Sequence, residues 1–379
     1  MLNFTLPRGF LPTEDPITQT PNNPAWDATV TLLPKLLVAG KVRQVVHQLP
    51  AFNYAGLESR AQWERAMVVC SYLGQAYVLG EGELADRLPA VLAQPWVRVA
   101  KQVGRPPIME YATQALNNWR RLDPNGPIET ANLALNCNYL GGQDEDWFVL
   151  IHVEIEAKAS AAVSALPLAL AAAEAGDADA LATHFGTVIA ALQAMMATLS
   201  RMPERCDPYI YYNRVRPFMF GWKNNPALPN GMIYEGVAEF GGQPQQFLGE
   251  TGAQSSVIYA IDAMLGVRHE KDSFRAYLDE LFDYMPPTHR QFIRALEANS
   301  TVREYVTGHV QTHPALRDAY NACVTQIAQF RIKHMEYAAM YIANQAQKSA
   351  ANSTEIGTGG TPFMRYLGKH RDATRQHLL

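Results

Sequence analysis

The sequence predicts an all-α fold made of two helical domains, and three observations support this prediction. Apolar side chains recur at the three- and four-residue spacings of amphipathic helices along most of the chain. No alternation of apolar and polar residues typical of a β-strand continues for five residues, and no internal repeat is present. The chain is also long enough, at 379 residues with 48% hydrophobic and 18% charged, to bury a sizeable core.

The N-terminal third predicts an irregular arm followed by short helices. Residues 1–30 are rich in Pro, Thr and Asn, which favours an arm without regular structure. From residue 30 to about residue 122 the helical pattern is interrupted repeatedly by proline and glycine. The segment DPNGP at 123–127 is a strong turn signal. We therefore expect a small N-terminal helical domain over residues 1–122 and a larger domain over residues 123–379.

The larger domain begins with two long helices. The first is predicted over residues 144–175 with a kink at Pro167, and Gly176 and Asp177 separate it from an antiparallel helix over 179–199. Alanine is frequent in both helices, which permits close helix packing but also reflects high helix propensity alone. Residues 213–252 are rich in glycine, proline and aromatic residues and predict loops. Further helices are predicted over residues 254–266, 272–284, 287–298, 301–306 and 314–347, followed by a polar segment at 349–361 and a last short helix.

Charge and composition make several classes of partner improbable. The net charge is −4 without any basic run, so we expect no nucleic-acid binding. The uncharged stretch at residues 159–173 is shorter than the roughly 17–25 residues of a membrane span, so we expect no membrane association. The N-terminus lacks a basic region followed by an apolar stretch, and we expect no secretory signal. The four cysteines are far apart, which predicts reduced core thiols in a cytoplasmic protein.

Two histidines stand alone among apolar residues on separate predicted helices. His334 shares one helical face with apolar and aromatic side chains, and His152 lies between Phe148 and Ile155 on the alanine-rich helix. Most such histidines are core or surface residues rather than ligands. A haem iron, however, needs only one axial protein ligand, so one of the two histidines could hold it. The HExxH and GxSxG motifs are missing, which argues against zinc hydrolysis and serine esterase chemistry.

Charged side chains suggest three further sites. Arg216 lies in an aromatic segment, 211–222, without a nearby acidic residue, which suits bidentate binding of a carboxylate beside an aromatic substrate; a surface arginine stacked on tyrosine is the alternative. Asp262 and Arg331 form either a buried pair between two helices or two unrelated surface charges. The segment GTGGT at 357–361 lacks the lysine and the helix of a phosphate-binding loop, and either a mobile lid or a plain linker fits it.

Eight segments in a fixed order resemble the indoleamine 2,3-dioxygenase family. Each one alone is a weak signal, but their order along about 250 residues makes the resemblance specific. The segments are NWRRLDP at 118–124, RPFMFGWKNNP at 216–226, GMIYEG at 231–236, GAQSSV at 252–257, YMPPTHR at 284–290, LRDAYNAC at 316–323, RIKH at 331–334 and GTGGT at 357–361.

The resemblance implies a two-domain helical fold whose large domain binds haem b through His334. In that family the arginine matched by Arg216 holds the carboxylate of tryptophan, and the threonine matched by Thr358 helps to receive its ammonium group. Asp262 and Arg331 match an ion pair that supports the ligand helix. Positions lining the substrate pocket match Tyr111, Phe148, Val149, Met219 and Gly252, while Tyr211 and Tyr212 replace a pair of phenylalanines.

His152 is a departure from the family pattern. It falls where indoleamine dioxygenases carry a serine, whereas in the sister family, the tryptophan 2,3-dioxygenases, a distal histidine there accepts the indole N–H. A gap of one or two residues in this helix would place Leu150 at that position instead, so the resemblance leaves both residues open.

The expected function is that of a haem-dependent 2,3-dioxygenase. It would use O2 to open the pyrrole ring of L-tryptophan or a related indole to an N-formylkynurenine-type product, as in tryptophan catabolism through the kynurenine pathway. The alternatives are a biosynthetic haem oxygenase acting on a substituted tryptophan and a haem- or gas-binding protein without turnover. The sister family is tetrameric and the closer family usually monomeric, which leaves a monomer or a homo-oligomer open.

Overall fold

The computed structural model describes residues 6–268, 273–346 and 372–379, and helices dominate these ranges. Their bounds are α1 Pro24–Thr31, α2 Leu33–Ala39, α3 Val42–Val46, α4 Arg60–Leu79, α5 Ala90–Val103, α6 Gln143–Ala175, α7 Ala178–Ser200, α8 Pro208–Ile210, α9 Ser256–Leu265, α10 Ser273–Phe282, α11 Pro287–Asn299, α12 Val302–Gly308, α13 Pro314–Ala338 and α14 Asn344–Ala346. The all-α prediction is confirmed.

Four very short strands accompany the helices in the described part of the chain. They are β1 Arg87–Leu88, β2 Trp119–Arg121, β3 Leu133–Leu135 and β4 Ile233–Tyr234. β1 pairs with β4 in parallel, and β2 pairs with β3 in antiparallel orientation with Trp119 opposite Leu135. With two or three residues each, these strands are too short to produce the alternation by which a strand is predicted.

The two long helices α6 and α7 end and begin as the sequence predicts. Gly176 adopts the left-handed conformation (φ +74°) that terminates α6. The side chain of Asp177 then caps α7 by accepting a hydrogen bond from the backbone N–H of Ala180 at 2.9 Å. Pro167, where a kink is predicted, does not end the helix. α6 runs through this residue and is 33 residues long in all.

The buried apolar residues fall into two large clusters and one small one. The largest cluster joins α6, α7, α9, α11, α12 and α13. The second joins α1 to α5 with later segments of the chain, including Cys137, Trp222 and Leu281. The small cluster packs Tyr111 and Trp119 against the first half of α6. Chain segments from beyond residue 123 thus complete the N-terminal core, and the predicted domain boundary remains a prediction.

Two helices pass the length and composition test for a membrane span in the described residues. They are Gln143–Ala175 and Ala178–Glu204, with 56% and 33% of their most apolar windows buried. Because core helices pass the same test, the expected lack of membrane association remains a prediction. All four cysteines are buried free thiols, as the sequence predicts.

Candidate active site

His334 lies on α13, and much of its side chain is accessible although protein surrounds the residue closely enough to desolvate its ring. Burial, together with repulsion from a protonated His152, lowers the pKa of its imidazole to about 4. A side chain that is both deeply placed and accessible borders an internal space. A Cβ atom added to Gly252 would lie 4.0 Å from Nε2 of His334, so the Gly252 backbone lies beside this space. The imidazole is neutral, as a metal ligand must be.

A buried ion pair fixes the helix that carries His334. Nη2 of Arg331, three residues before His334, donates to Oδ2 of Asp262 on α9 at 2.5 Å. Nη1 of Arg331 also donates to the hydroxyl of Thr374 near the C-terminus. Asp262 and Arg331 are 8% and 7% exposed. The pair predicted between two helices is therefore present, and the alternative of two unrelated surface charges is wrong.

His152 on α6 lies within electrostatic reach of His334. Its Nδ1 lies 2.7 Å from the backbone oxygen of Phe148; because a carbonyl only accepts hydrogen bonds, Nδ1 carries the proton and Nε2 is the acceptor of the neutral ring. Burial lowers the pKa of His152 and favours this neutral form. Leu150 instead packs in the small apolar cluster. The structure thus places His152, rather than Leu150, towards His334.

Arg216 is completely buried at the start of a 3-10 helix, Arg216–Met219. Its guanidinium carbon lies 5.2 Å from the ring centroid of Tyr212 and 4.7 Å from that of Phe220. Burial lowers its pKa, but an arginine side chain stays protonated in proteins. The alternative of a surface arginine is wrong, although the stacking on tyrosine is real.

Aromatic side chains connect these groups. The ring of Phe148 lies 4.7 Å from those of His152 and Tyr211, and Tyr111 meets His152 edge-on at 6.0 Å. The hydroxyl of Tyr211 lies 3.9 Å from Sδ of Met219. Two further residues predicted to line the pocket, Val149 and Tyr212, are buried, Val149 beside Tyr111 in the small cluster and Tyr212 under Arg216. Thr358 and the GTGGT segment lie outside the described residues.

Two buried glutamates were missed by the sequence analysis. Oε1 of Glu156, one turn after His152, accepts hydrogen bonds from Tyr111 at 2.9 Å and Ser255 at 2.7 Å, and burial raises its pKa to about 7. Glu250 is buried as well, which raises its pKa to about 8. The spacing of Glu156 from His152 is a signal that could have been used, whereas no pattern in the sequence marks Glu250.

The donor set fits a haem. Among the described residues no group of three or more His, Cys, Asp or Glu side chains converges as a metal cluster would. Haem iron needs one axial imidazole, and His334 offers a neutral one beside an internal space. The ion pair on the same helix and the aromatic side chains around His152 complete such a site.

Comparison with known proteins decides the family. A family model described as Indoleamine 2,3-dioxygenase matches residues 3–377. The chain belongs to this family. Indoleamine 2,3-dioxygenase 1 of Rattus norvegicus is 33% identical over 93% of this chain and 89% of its own length. The indoleamine 2,3-dioxygenase of Aspergillus candidus is 32% identical over 97% and 94%, and the 6-hydroxytryptophan 2,3-dioxygenase of Fusarium equiseti is 31% identical over 96% and 94%.

Membership of the indoleamine 2,3-dioxygenase family confirms the central predictions from the sequence. The chain is a haem-dependent oxidoreductase of the 2,3-dioxygenase type, with O2 and a tryptophan-like compound as its substrates. The roles of single residues, the type of haem, the subcellular location and the oligomeric state remain predictions.

Proposed function

We propose that this member of the indoleamine 2,3-dioxygenase family opens the pyrrole ring of L-tryptophan, or of a close relative, to an N-formylkynurenine-type product. The observation that carries this proposal is the pair of neutral imidazoles, His334 and His152, within electrostatic reach of each other. The rings of Phe148 and Tyr211 connect His152 to the buried Arg216. One imidazole can hold iron while the other receives a proton donor of the substrate.

His334 would hold haem b through Nε2, and Asp262 with Arg331 would keep the ligand helix in place. The bound haem supplies the activation of O2. The chain supplies binding and orientation. Nε2 of His152, left without a proton by the hydrogen bond at Nδ1, would accept the indole N–H. Arg216 would bind the substrate carboxylate through its planar guanidinium, and Thr358 would help to receive the ammonium group.

The aromatic walls would hold the indole and keep water away. Phe148, Tyr111 and Tyr211 form a connected set of aromatic rings against which an indole would pack. A site shielded in this way strengthens every hydrogen bond to the substrate and limits side reactions of activated oxygen. Positioning of this kind accounts for a large part of the rate in reactions between two bound partners.

A ring-hydroxylated tryptophan is the second candidate substrate. Burial of the Glu250 carboxyl near the pocket favours it, because an indole with a hydroxyl group offers one more donor. A relative named as a 6-hydroxytryptophan dioxygenase shows that such substrates occur in the family. A haem or gas store without turnover would need no buried arginine such as Arg216, and we do not favour it.

We also propose the setting of this activity. Four buried free thiols favour a reducing compartment, so we place the protein in the cytoplasm, in tryptophan catabolism by the kynurenine pathway. The net charge of −4 without a basic run favours an enzyme that binds neither nucleic acid nor membranes. The same surface is compatible with a monomer or a homo-oligomer.

Labelled oxygen tests the proposed reaction. Ferrous haem-loaded protein is mixed with tryptophan and 18O2, and the product is analysed by mass spectrometry. Incorporation of two labelled atoms into a ring-opened product is expected, whereas one labelled atom or none would contradict dioxygenation. His334→Ala should lose the Soret band of bound haem together with activity. His313→Ala, at an exposed position before the same helix, is the matched control and should keep both.

A further inference from the structure

Glu250 is fixed against the wall of the pocket by its backbone. Its N–H donates to the carbonyl of Met219 at 2.9 Å. The preceding residue, Gly249, approaches the same segment so closely that a Cβ atom there would lie 2.2 Å from the oxygen of Met219. Gly252, two residues further on, lies beside Nε2 of His334. The segment that carries Glu250 therefore runs from one wall of the substrate pocket to the space at the candidate iron ligand.

The carboxyl group of Glu250 is enclosed, and no basic side chain acts on it in the described part of the structure. The residue is 5% exposed, and its carboxyl oxygens accept no hydrogen bond from the described residues. The charge that acts on it is that of another acid, Glu110. Removing a carboxyl group from water without a hydrogen-bond donor is costly, so this group is suited to a donor that arrives with a ligand.

The position of the carboxyl group points to the ring end of a substrate. Glu250 is hydrogen-bonded through its backbone to Met219, whose Sδ lies 3.9 Å from the hydroxyl of Tyr211. The charge of Glu250 also raises the pKa of Tyr111 and Tyr211, as expected for a carboxyl group near these two aromatic walls of the pocket. Arg216 acts on Tyr211 but is not among the charges that act on Glu250. In an α-amino acid the ammonium and carboxylate groups share one carbon atom. If Arg216 binds the substrate carboxylate, the ammonium group therefore lies at the arginine end of the pocket as well. The indole ring is then the part of the substrate that can contact Glu250.

We propose that Glu250 is a specificity-determining residue that accepts a hydrogen bond from a hydroxyl group on the benzene ring of an indole substrate. This inference rests on the proposed function and narrows its substrate class to ring-hydroxylated tryptophans. The indole N–H is already assigned to His152, and an unsubstituted ring has no second donor for Glu250. A site built to accept a hydroxyl donor discriminates strongly against the analogue that lacks it.

Binding and turnover of hydroxylated and plain tryptophan test the role of Glu250. Haem-loaded protein is titrated with tryptophan, 5-hydroxytryptophan and 6-hydroxytryptophan by the shift of the Soret band and by calorimetry, and kcat/KM is measured for each. One hydroxylated isomer should bind about tenfold tighter than tryptophan or better, as one additional buried hydrogen bond allows. Glu250→Ala should remove this preference, and Glu250→Gln, which still accepts a hydrogen bond, should keep part of it. Glu83→Ala, at an exposed position, is the control.

The other outcomes would overturn the inference. The preference for a hydroxylated tryptophan over tryptophan could be the same in the wild-type protein, in Glu250→Ala and in Glu250→Gln. That result would show that the carboxyl group does not recognise the ring. If Glu250→Ala weakens tryptophan and hydroxytryptophans alike but leaves indole-3-propionate unaffected, the donor is the ammonium group instead. Failure of the proposed function looks different, because the wild-type protein would then turn over no indole, while the binding titrations would still report on Glu250.

Discussion

At the scale of single residues, the protonation of His152 determines what the pocket can accept. The hydrogen bond from Nδ1 to the backbone of Phe148 consumes the one proton of the neutral ring, and Nε2 therefore has a lone pair for a donor. Burial lowers the pKa of His152, so the ring stays neutral until the pH falls below its ordinary value of about 6.5. A neutral imidazole nitrogen with a lone pair can accept a hydrogen bond from an indole N–H. It cannot bind a substrate group that is itself only an acceptor.

Replacement of His152 should therefore affect tryptophan more than its N-methylated analogue. His152→Leu should lower kcat/KM for tryptophan about tenfold to a hundredfold, because a buried indole N–H loses its acceptor. The same change should have little effect on 1-methyltryptophan, which has no N–H to donate. His152→Gln, whose amide oxygen still accepts, should recover part of the loss. Steady-state kinetics with both substrates decide this, and equal losses for the two would contradict the assigned role.

Replacement of Arg216 should separate substrate binding from haem binding. Arg216→Lys keeps a charge but loses the planar fork, and we expect the Kd of tryptophan to rise at least about tenfold while the Soret band persists. Tryptamine, which lacks a carboxylate, should bind equally to both proteins. Arg214→Ala, an exposed arginine two residues earlier, is the control. An unchanged Kd for tryptophan in Arg216→Lys would show that the carboxylate binds elsewhere.

The sequence predicted the roles of single residues where a motif gives their order along the chain. It did not predict them where only the packing of the folded chain brings residues together. His334, Arg216 and Arg331 lie in short segments that the family resemblance places in register, and Asp262 lies shortly after one of them. The burial of Arg216 between two rings was not predictable, because Tyr212 and Phe220 flank it only through a π-helical turn followed by a 3-10 helix. Glu250 has no sequence signal, since its importance comes from enclosure alone.

At the scale of secondary-structure elements, the position of α13 determines where His334 lies. Arg331 joins this helix to α9 through Asp262 and to the C-terminal segment through Thr374. α13 continues into a π-helical turn, Ala339–Ala343, whose Tyr341 donates a hydrogen bond to the backbone oxygen of Cys206 at 2.7 Å. Contacts on both sides of His334 therefore hold the ligand helix in register.

Removal of one partner of the ion pair should loosen haem before it abolishes the fold. Asp262→Leu leaves a buried guanidinium group, and we expect a loss of about 3–5 kcal/mol of unfolding free energy together with faster haem release. Asp262→Leu with Arg331→Met should regain most of the stability, because no buried charge remains, but not the slow haem release. Urea unfolding and haem transfer to an excess of an apo haem acceptor measure the two effects.

An exposed pair on the same helix provides the control for this prediction. Arg317 and Asp318 form a salt bridge at 2.7 Å, and their side chains are 35% and 66% exposed. Asp318→Ala should change the unfolding free energy by no more than about 1 kcal/mol. If the double variant that combines Asp262→Leu with Arg331→Met released haem as slowly as the wild-type protein, the ion pair would have no positioning role.

Helices were easier to predict than the elements between them, for physical reasons. The long helices end at residues with strong local preferences, such as Gly176 and Asp177, and these preferences can be read from the chain. Pro167 lies in the middle of α6, and the helix continues through it, as packing on several neighbouring helices permits. The kink expected at this residue remains a prediction. The strands β1 and β4 pair although they lie far apart along the chain, and local patterns do not report such contacts.

At the scale of the whole molecule, ionisable groups deep in the protein make its stability depend on pH. Burial raises the pKa of Glu145 and of Glu156 to about 7 and lowers the pKa of His289 to about 3. The two acids lower the unfolding free energy of the protein as the pH rises, because their ionised forms are disfavoured inside the protein. The buried histidine lowers the unfolding free energy as the pH falls, because its charged form is disfavoured. The folded state therefore loses stability at both high and low pH.

Glu156 isolates one side of this dependence. Its pKa is raised from an ordinary value of 4.5 to about 7, so its stabilising contribution is complete below pH 4.5 and is lost as the pH rises through about 7. Glu156→Gln keeps an oxygen for Tyr111 and Ser255 and does not ionise. The variant should therefore match the wild-type protein near pH 5 and exceed its unfolding free energy by about 2–3 kcal/mol at pH 8. Urea unfolding at both pH values measures this difference, and Glu204→Gln, at an exposed position, is the control. A difference in unfolding free energy that does not change with pH would show that the folded protein does not hold Glu156 in its protonated form.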